Sequence, residues 1–201
     1  MLLLKNTKQI LKQNSLCLLR HFSAIASIYD TNHYDIVIAG GGLVGIGLAA
    51  SLAKNETLSD KKILLLEGAP KFKAQTREAY SNRVSAINKQ SIRLLKTIDA
   101  WDFIESIRVK PIMQMLVWDG ITDEVISFNH PNFNENVACI VENDLMLEGM
   151  YMQIEKLLNV HIKNESRLES CLLPKDSKID QTVITLNSGE KFTCDLLVSC
   201  L

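Results

Sequence analysis

Two short apolar runs enclose a glycine-rich turn near the start of the chain. Residues 34–39 are mostly apolar and include three consecutive β-branched side chains, which predicts a β-strand. Three glycines follow at 40–42, and residues 45–54 are rich in alanine and leucine, which favours a helix. A second apolar run at 63–66 predicts another strand, and Glu67 follows it directly. The order strand, glycine turn, helix, strand and acid is typical of a nucleotide-binding βαβ unit.

The glycines of this turn have the spacing of a dinucleotide-binding loop. Gly40, Gly42 and Gly45 match G-x-G-x-x-G. The first glycine permits the tight turn, the second lets the backbone approach a pyrophosphate, and the third lets the helix pack closely on the sheet. Glu67 lies 22 residues after Gly45, near the spacing expected for a carboxylate that binds a ribose diol. Such an acid can also be a solvated strand end, so its ribose role depends on the loop.

The same region could also be read as a membrane span. Residues 36–53 form 18 positions without a charged side chain, which is the threshold length for a transmembrane helix. Five of these residues are glycine, and each interior glycine costs a helix roughly 1 kcal/mol relative to alanine. We therefore expect a strand followed by a helix here.

Beyond Glu67 the pattern no longer alternates simply between strand and helix. A polar stretch to residue 82 predicts a long loop, and apolar spacing predicts helices over 85–98 and 99–107. Asn143 or Asp144 can cap a further helix. Strands are predicted at 113–118, 124–128, 137–141 and 160–162, with one or two more at 191–198, and segments 167–173 and 182–186 flank a variable connection. The expected class is α/β, a Rossmann-like βαβ fold interrupted by an antiparallel β insert.

Composition fits a globular protein and argues against some partners. The 201 residues are 47% hydrophobic and 22% charged, which is enough to build a core. The net charge of −1 gives no sign of a nucleic-acid partner. The five cysteines lack metal-binding spacing, so we expect reduced thiols and no metal. We also find no catalytic triad or pair of carboxylates in the sequence.

The beginning of the chain has a different character. It contains three lysines and an arginine, but no acidic residue occurs before Asp30. On a helix the lysines share one face, as in a mitochondrial transit peptide. Residues 20–23 resemble the cleavage signal of many mitochondrial presequences. We predict a transit peptide over 1–30, and a disordered basic tail is the alternative.

Four segments occur in an order that resembles a known family. They are 35–45 with the glycine loop, 83–87, 141–145 and 194–198. Together they resemble the flavin monooxygenases of ubiquinone biosynthesis, in the aromatic hydroxylase class typified by para-hydroxybenzoate hydroxylase, and they look most similar to its mitochondrial ring hydroxylases. The glycine motif alone occurs in many folds, whereas its combination with the segment at 83–87 is much more specific.

This resemblance implies that the cofactor is FAD. By position, Gly40, Gly42 and Gly45 would hold the pyrophosphate. Leu43 and Val44 would supply backbone groups beside it.

The resemblance gives roles to three further side chains. Glu67 would bind the adenosine ribose, and Arg83 would face the cofactor, because a planar guanidinium suits phosphate oxygens. Asn143 lies where the family places a polar side chain near the cofactor. Without the resemblance, Arg83 would be read as a solvated arginine and Asn143 as a helix cap.

The resemblance also implies an activity and a location. The protein would hydroxylate a polyprenyl phenol or benzoate with oxygen, using electrons from a nicotinamide donor or a redox protein. It would lie peripherally on the matrix side of the mitochondrial inner membrane, in a possible ubiquinone-synthesis complex. Residues 31–112 and 137–201 would form the FAD-binding domain, and 113–136 would begin an inserted β substrate domain.

The chain departs from the family at its end. The family continues its last strand into a Gly-Ala-Asp-Gly sequence that contacts FAD and the nicotinamide, whereas Ser199, Cys200 and Leu201 stand here. We therefore expect a truncated FAD-binding domain, an incomplete substrate domain and an inactive chain. Two alternatives stay open. One is a non-enzymatic fragment or partial flavin-binding module. The other is an NAD(P)-dependent dehydrogenase, against which Arg83 and the β insert argue.

Overall fold

Strands dominate the part of the chain that the computed structural model describes, residues 32–73, 78, 80–131, 134–174 and 181–200. The strands are β1 (His33–Ala39), β2 (Ile63–Leu66), β3 (Val84–Ile87), β4 (Lys110–Ile112), β5 (Gln114–Trp118), β6 (Val125–Asn129), β7 (Ala138–Glu142), β8 (Val160–Lys163), β9 (Leu168–Leu172), β10 (Thr182–Leu186) and β11 (Lys191–Ser199). The helices are α1 (Leu43–Ala53), α2 (Lys89–Thr97), α3 (Trp101–Ile107) and α4 (Asn143–Ile154), with a 3₁₀ turn at Glu56–Leu58. The predicted transit peptide at 1–30 lies outside the described residues.

Six strands form the main sheet, in the order β8-β2-β1-β11-β10-β9. The first four are parallel to one another, and β10 and β9 run antiparallel at one edge. Every residue of β2 is buried, as expected for a strand that is covered on both faces. Parallel strands end at the same edge of a sheet. The loops after β1, β2 and β8 are therefore neighbours, and Cys200 at the end of β11 lies beside them.

Helices α1 and α4 pack together on one face of this sheet. Ile46 and Ala50 of α1 are fully buried, and Met150 and Ile154 of α4 are almost completely buried. An ideal Cβ at Gly47 would lie 3.6 Å from the Met150 Sδ, so the two helices approach closely at this point. This packing fixes α1 against α4 and the sheet, and it thereby fixes the turn between β1 and α1.

The antiparallel strands between the first βαβ unit and α4 form two small sheets, and two of these strands, β3 and β4, lie before the predicted insert at 113–136. One has the order β3-β7-β4, and the other is the hairpin of β5 and β6. The hairpin exposes large apolar side chains, including Trp118 and Val125, which face each other next to its turn. The predicted class is confirmed, an α/β fold with antiparallel strands inserted after the first βαβ unit. The domain boundaries at 112 and 137 stay a prediction.

The predicted helix over 85–98 is wrong in its first turn. Residues 84–87 form β3, which pairs antiparallel with β7. Asn88 then starts α2, because its Oδ1 accepts a hydrogen bond from the Ser91 N–H at 2.9 Å. Arg83 consequently stands before a strand and not before a helix.

The predicted cap of α4 is also wrong. Glu142 is the N-cap residue, and no side chain caps the helix, although Asn143 or Asp144 was expected to do so. The membrane-span reading fails as well, because residues 36–39 belong to β1. Within the described ranges, none of the helices is long and apolar enough to cross a membrane.

Candidate nucleotide-binding site

The glycine loop leaves the sheet at the carboxyl end of β1. Gly40 has a φ of 111°, a left-handed conformation that glycine adopts without steric cost. Its N–H donates to the Leu66 carbonyl of β2 at 2.9 Å. On the other side, the Cys200 N–H donates to the Ala39 carbonyl at 2.8 Å. The turn is therefore tied to the strands on both sides of β1.

Gly45 lies where the helix passes closest to this turn. An ideal Cβ at this position would lie 1.8 Å from the Gly40 carbonyl oxygen, far inside van der Waals contact. Any side chain here would push α1 away from the end of β1. The sequence folds locally in this way because the third glycine of the motif has no Cβ.

The space in front of α1 is open. An ideal Cβ at Gly42 would meet no heavy atom within 4 Å. No side chain caps α1, and its first turn contains no acidic residue. The first N–H groups of a helix, here including those of Leu43 and Val44, have no intrahelical acceptor. Free N–H groups and a partial positive charge make this end suitable for a phosphate.

Glu67 reaches from the end of β2 to the glycine loop. Its Oε2 accepts the Gly41 N–H at 2.7 Å, and its Oε1 accepts the Ala69 N–H at 2.7 Å. Each carboxylate oxygen has a second lone pair, so both can still accept a ribose hydroxyl. Gly41 was not singled out from the sequence, yet an ideal Cβ there would lie 2.7 Å from the Glu67 Oε2. The run of three glycines was the signal that could have identified it.

Arg83 and Asn143 are neighbours across the small sheet. The Asn143 N–H donates to the Arg83 carbonyl at 2.9 Å. The Ser85 hydroxyl donates to the Asn143 Oδ1 at 2.7 Å. The Arg83 side chain is exposed and makes no hydrogen bond or ion pair with a described residue. Its guanidinium is therefore available to an anionic ligand, and the Ser85 hydroxyl fixes the Asn143 side chain.

The predicted residues thus fall into two groups. The first comprises the turn at 40–45 and Glu67, which hydrogen bonds connect directly. The second comprises Arg83 and Asn143 at the junction of β3 and β7. Among the described residues, no hydrogen bond or ion pair joins the two groups. A ligand that used both groups would have to extend from the glycine loop to this second junction.

A partly buried ion pair that sequence reasoning missed anchors the second group. The Arg108 Nε donates to the Glu142 Oε1 at 2.7 Å, and the Ser81 N–H donates to the Glu142 Oε2 at 2.8 Å. The Arg108 guanidinium also stacks over the Tyr80 ring, 4.1 Å from its centroid. Burial acts to raise the pKa of Glu142. The Ser81 and Arg108 hydrogen bonds outweigh it and hold that pKa below its ordinary value. These contacts fix the loop that carries Arg83.

An open cleft of about 930 Å³ lies between α2 and the β5–β6 hairpin. Its wall includes Ala86, Met115, Phe128 and Val137. None of the residues predicted to bind the cofactor lines it. The cleft is therefore separate from the glycine loop, and its size does not identify the nucleotide site.

Comparisons with known proteins identify relatives of this chain by sequence, although not by a family model. No protein-family model matches the chain. The ubiquinone biosynthesis monooxygenase COQ6, mitochondrial, of Drosophila melanogaster is 53% identical over 170 residues, covering 84% of this chain and 36% of that protein. The Homo sapiens protein of the same name is 36% identical over 171 residues, covering 82% of this chain and 36% of that protein. The chain thus spans just over a third of the length of these curated relatives.

Solved structures agree on the fold. A probable FAD-dependent monooxygenase, pqsL, from Pseudomonas aeruginosa superposes with a TM-score of 0.61 at 18% identity, over 83% of this chain and 42% of that one. The p-nitrophenol 4-monooxygenase PnpA from Pseudomonas putida DLL-E4 superposes with a TM-score of 0.62 at 16% identity, over 84% of this chain and 41% of that one. At such identities the likeness establishes the architecture alone.

Proposed function

Because this chain belongs, over its matched residues, to the family of ubiquinone biosynthesis monooxygenases, we propose that it binds FAD as the flavin-binding portion of an aromatic-ring hydroxylase. One observation carries the proposal. The first turn of α1 has no side-chain cap, and the space in front of Gly42 is open. A backbone cradle of this form fits a pyrophosphate, since an anion can approach the N–H groups without meeting a Cβ.

Each residue of the first group has a part in this proposal. Gly40 sets the turn, Gly42 leaves room for the pyrophosphate, and Gly45 holds the helix close to it. The backbone N–H groups of Leu43 and Val44 donate to phosphate oxygens.

Glu67 accepts the hydroxyl groups of the adenosine ribose, because the Gly41 and Ala69 N–H groups hold its carboxylate beside the loop.

The second group serves the other end of the cofactor in this proposal. Arg83 contacts the cofactor through its guanidinium, which has no partner among the described residues and is suited to phosphate oxygens. The Asn143 amide can donate to a polar atom of the cofactor because the Ser85 hydroxyl already satisfies its oxygen. Residues 31–112 and 137–201 would then form the FAD-binding domain, and 113–136 would begin the substrate domain.

The activity that we propose for the whole protein is that of its family. Bound FAD would supply the redox and oxygen chemistry, and the protein would position the ring of a polyprenyl phenol or benzoate and exclude water. Electrons would come from a nicotinamide donor or a redox protein. The relatives named above are mitochondrial by name. On that basis we propose a peripheral position on the matrix side of the inner membrane, within a ubiquinone-synthesis complex.

Titration of the 201-residue chain with FAD tests the proposal. We expect saturable quenching of flavin fluorescence, and we expect Gly42→Ala to weaken it because the new Cβ occupies the approach path of the phosphates. Gly120→Ala is the matched control, since an ideal Cβ there also meets no atom within 4 Å and the residue lies in the hairpin turn. Equal affinity of the two variants would contradict the assignment of the loop.

Binding of NADH or NADPH without any binding of FAD would support the dehydrogenase alternative. A hydroxylation assay on the same chain, with nicotinamide oxidation and product both measured, distinguishes a complete activity from flavin binding alone.

A further inference from the structure

Three neighbouring loops lie side by side at the carboxyl edge of the main sheet. They follow β1, β2 and β8, which are consecutive and parallel in the sheet. Adjacent strands are about 4.8 Å apart, so the loop after β8 lies roughly two strand spacings from the glycine loop. The proposed pyrophosphate site belongs to the first loop and the proposed ribose site to the second. The next part of the nucleotide along this direction is the adenine ring, which would reach the third loop.

The third loop is fixed to the second by its backbone. The Ser166 N–H donates to the Glu67 carbonyl at 2.8 Å, and the Glu165 N–H donates to the Ala69 carbonyl at 3.0 Å. On the other side, the Arg167 N–H donates to the Asn187 Oδ1 at 3.1 Å. The backbone of Arg167 is therefore held in place directly beside the residue proposed to bind the ribose.

The side chain of Arg167 lies across Gly68. An ideal Cβ at Gly68 would lie 2.8 Å from the Arg167 Nε and 2.9 Å from its Cγ. The absence of a side chain at Gly68 is therefore what lets the arginine occupy this position. The Arg167 side chain is exposed, and it makes no hydrogen bond or ion pair with a described residue. The planar Arg167 side chain thus lies over the residue that follows Glu67, and it has no partner among the described residues.

We propose that the Arg167 guanidinium packs against the adenine ring of the bound nucleotide, an inference that rests on the proposed nucleotide function of the glycine loop. A guanidinium is planar and weakly hydrated, and it stacks on flat aromatic rings through cation–π and dispersion contacts. A lysine has the charge but not the plane. The residue would thus select for a purine nucleotide at the far end of the site, independently of the flavin ring.

Binding of two small probes to the full 201-residue chain tests this role. ADP contains the pyrophosphate, ribose and adenine, whereas inorganic pyrophosphate lacks the base. Stacking on an aromatic ring corresponds to about a two- to thirty-fold change in affinity. We expect Arg167→Ala and Arg167→Lys to weaken ADP and FAD by such a factor and to leave pyrophosphate unchanged. Gly68→Ala should act in the same direction, because the new Cβ displaces the arginine while its charge is retained.

Arg93→Ala is the matched control, since Arg93 is an exposed arginine on α2 outside the proposed site. Its affinities should equal those of the wild type, and thermal melts should show that all the variants are folded. Equal loss of ADP and pyrophosphate in Arg167→Ala would overturn the adenine role, because the residue would then act through charge alone. Unchanged ADP affinity would overturn it too, while leaving the glycine-loop site intact. Failure of the wild type to bind either FAD or ADP would overturn both proposals.

Discussion

The N–H of Gly41 donates a 2.7 Å hydrogen bond to the Oε2 of Glu67, so the loop after β1 and the end of β2 share one carboxylate. A second bond from the Ala69 N–H to the Oε1 fixes the other oxygen. The carboxylate is therefore oriented before any ligand arrives, which reduces the entropic cost of binding a ribose. Glu67 thus has a structural and a proposed ligand-binding role at once.

Glu67→Gln should weaken both the structural role and the proposed ligand-binding role of this residue, because an amide has one acceptor oxygen where the carboxylate has two. Its NH₂ group would face one of the two backbone N–H donors, so one of these bonds is lost. We expect FAD affinity to fall about ten- to a hundredfold, since bonds to a charged group correspond to about 1.5–3 kcal/mol. Calorimetric titration measures the change. Glu56→Gln, at an exposed glutamate of the 3₁₀ turn, is the control, and an unchanged FAD affinity in Glu67→Gln would remove this residue from the site.

Gly45→Ala should damage the fold, because its Cβ would lie 1.8 Å from the Gly40 carbonyl oxygen. The contact is with backbone, so α1 itself has to move, and we expect a loss of about 1–3 kcal/mol or more in the free energy of unfolding. Gly47→Ala, two residues along the same helix, meets Met150 at an ordinary 3.6 Å. This control should be neutral or more stable by about 0.5–1 kcal/mol.

Chemical denaturation of both variants checks the contrast. If Gly45→Ala unfolds at the wild-type denaturant concentration, then the helix does not pack on the turn as described.

Arg83→Ala should affect binding and leave stability unchanged. The side chain is exposed and has no partner among the described residues, so its removal should shift the free energy of unfolding by less than about 0.5 kcal/mol. FAD affinity should fall roughly tenfold and become less sensitive to salt, because one charge-assisted contact is lost. Arg83→Lys should recover only part of the affinity, since it restores the charge but not the planar fork. Wild-type affinity in Arg83→Ala would exclude a direct contact with the cofactor.

The elements that the sequence predicts well are those whose defining residues lie close together in the chain. β1, α1 and β2 were predicted to within two residues, because the glycine spacing and the apolar runs that define them are contiguous in the sequence. β3 was missed because its partner β7 lies more than 50 residues away and its four residues also fit a helical pattern. The ion pair of Arg108 and Glu142 joins residues 34 positions apart. No local pattern indicates such a contact.

The roles of single polar residues were harder to infer for the same reason. The sequence around Asn143 allows either a cofactor contact or a helix cap, and the structure shows that its Oδ1 accepts a hydrogen bond from Ser85 on β3. The spacing of the motif gives Gly41 no role. Only the position of Glu67 in space shows why a side chain at Gly41 would collide.

Cys171 and Cys194 should differ sharply in reactivity. Cys194 is fully buried on β11, and burial, with smaller effects of Asp195 and Cys171, raises its pKa to about 11. Near pH 8 only about one such thiol in a thousand is ionised. Cys171 on β9 is exposed. We expect iodoacetamide to alkylate Cys171 in the native chain and Cys194 only after unfolding, as peptide mass spectrometry would show. Equal labelling of both in the native state would contradict the pairing of β9, β10 and β11.

Arg108→Ala should make the stability of the chain depend differently on pH. Glu142 is 12% exposed and Arg108 is 27% exposed, so the pair is largely shielded from solvent. Losing the guanidinium leaves the Glu142 carboxylate with the Ser81 N–H as its remaining described partner, and we expect a loss of about 1–3 kcal/mol near pH 7. Lys89→Ala breaks the exposed ion pair with Glu135 and is the control. It should cost less than about 1 kcal/mol.

The pH dependence follows from the direction of the Glu142 shift. Folding lowers the pKa of Glu142 below its ordinary value of 4.5, so its contribution to stability is fully present above pH 4.5 and is lost as pH falls through the lowered pKa. Without Arg108, burial counts for more and the pKa rises. The loss on acidification then begins at a higher pH. Glu142→Gln removes this titration altogether, so its stability should vary less across the same range. Urea denaturation at several pH values between 3 and 7 measures all three curves, and parallel curves for wild type and Arg108→Ala would show that the ion pair does not set the pKa of Glu142.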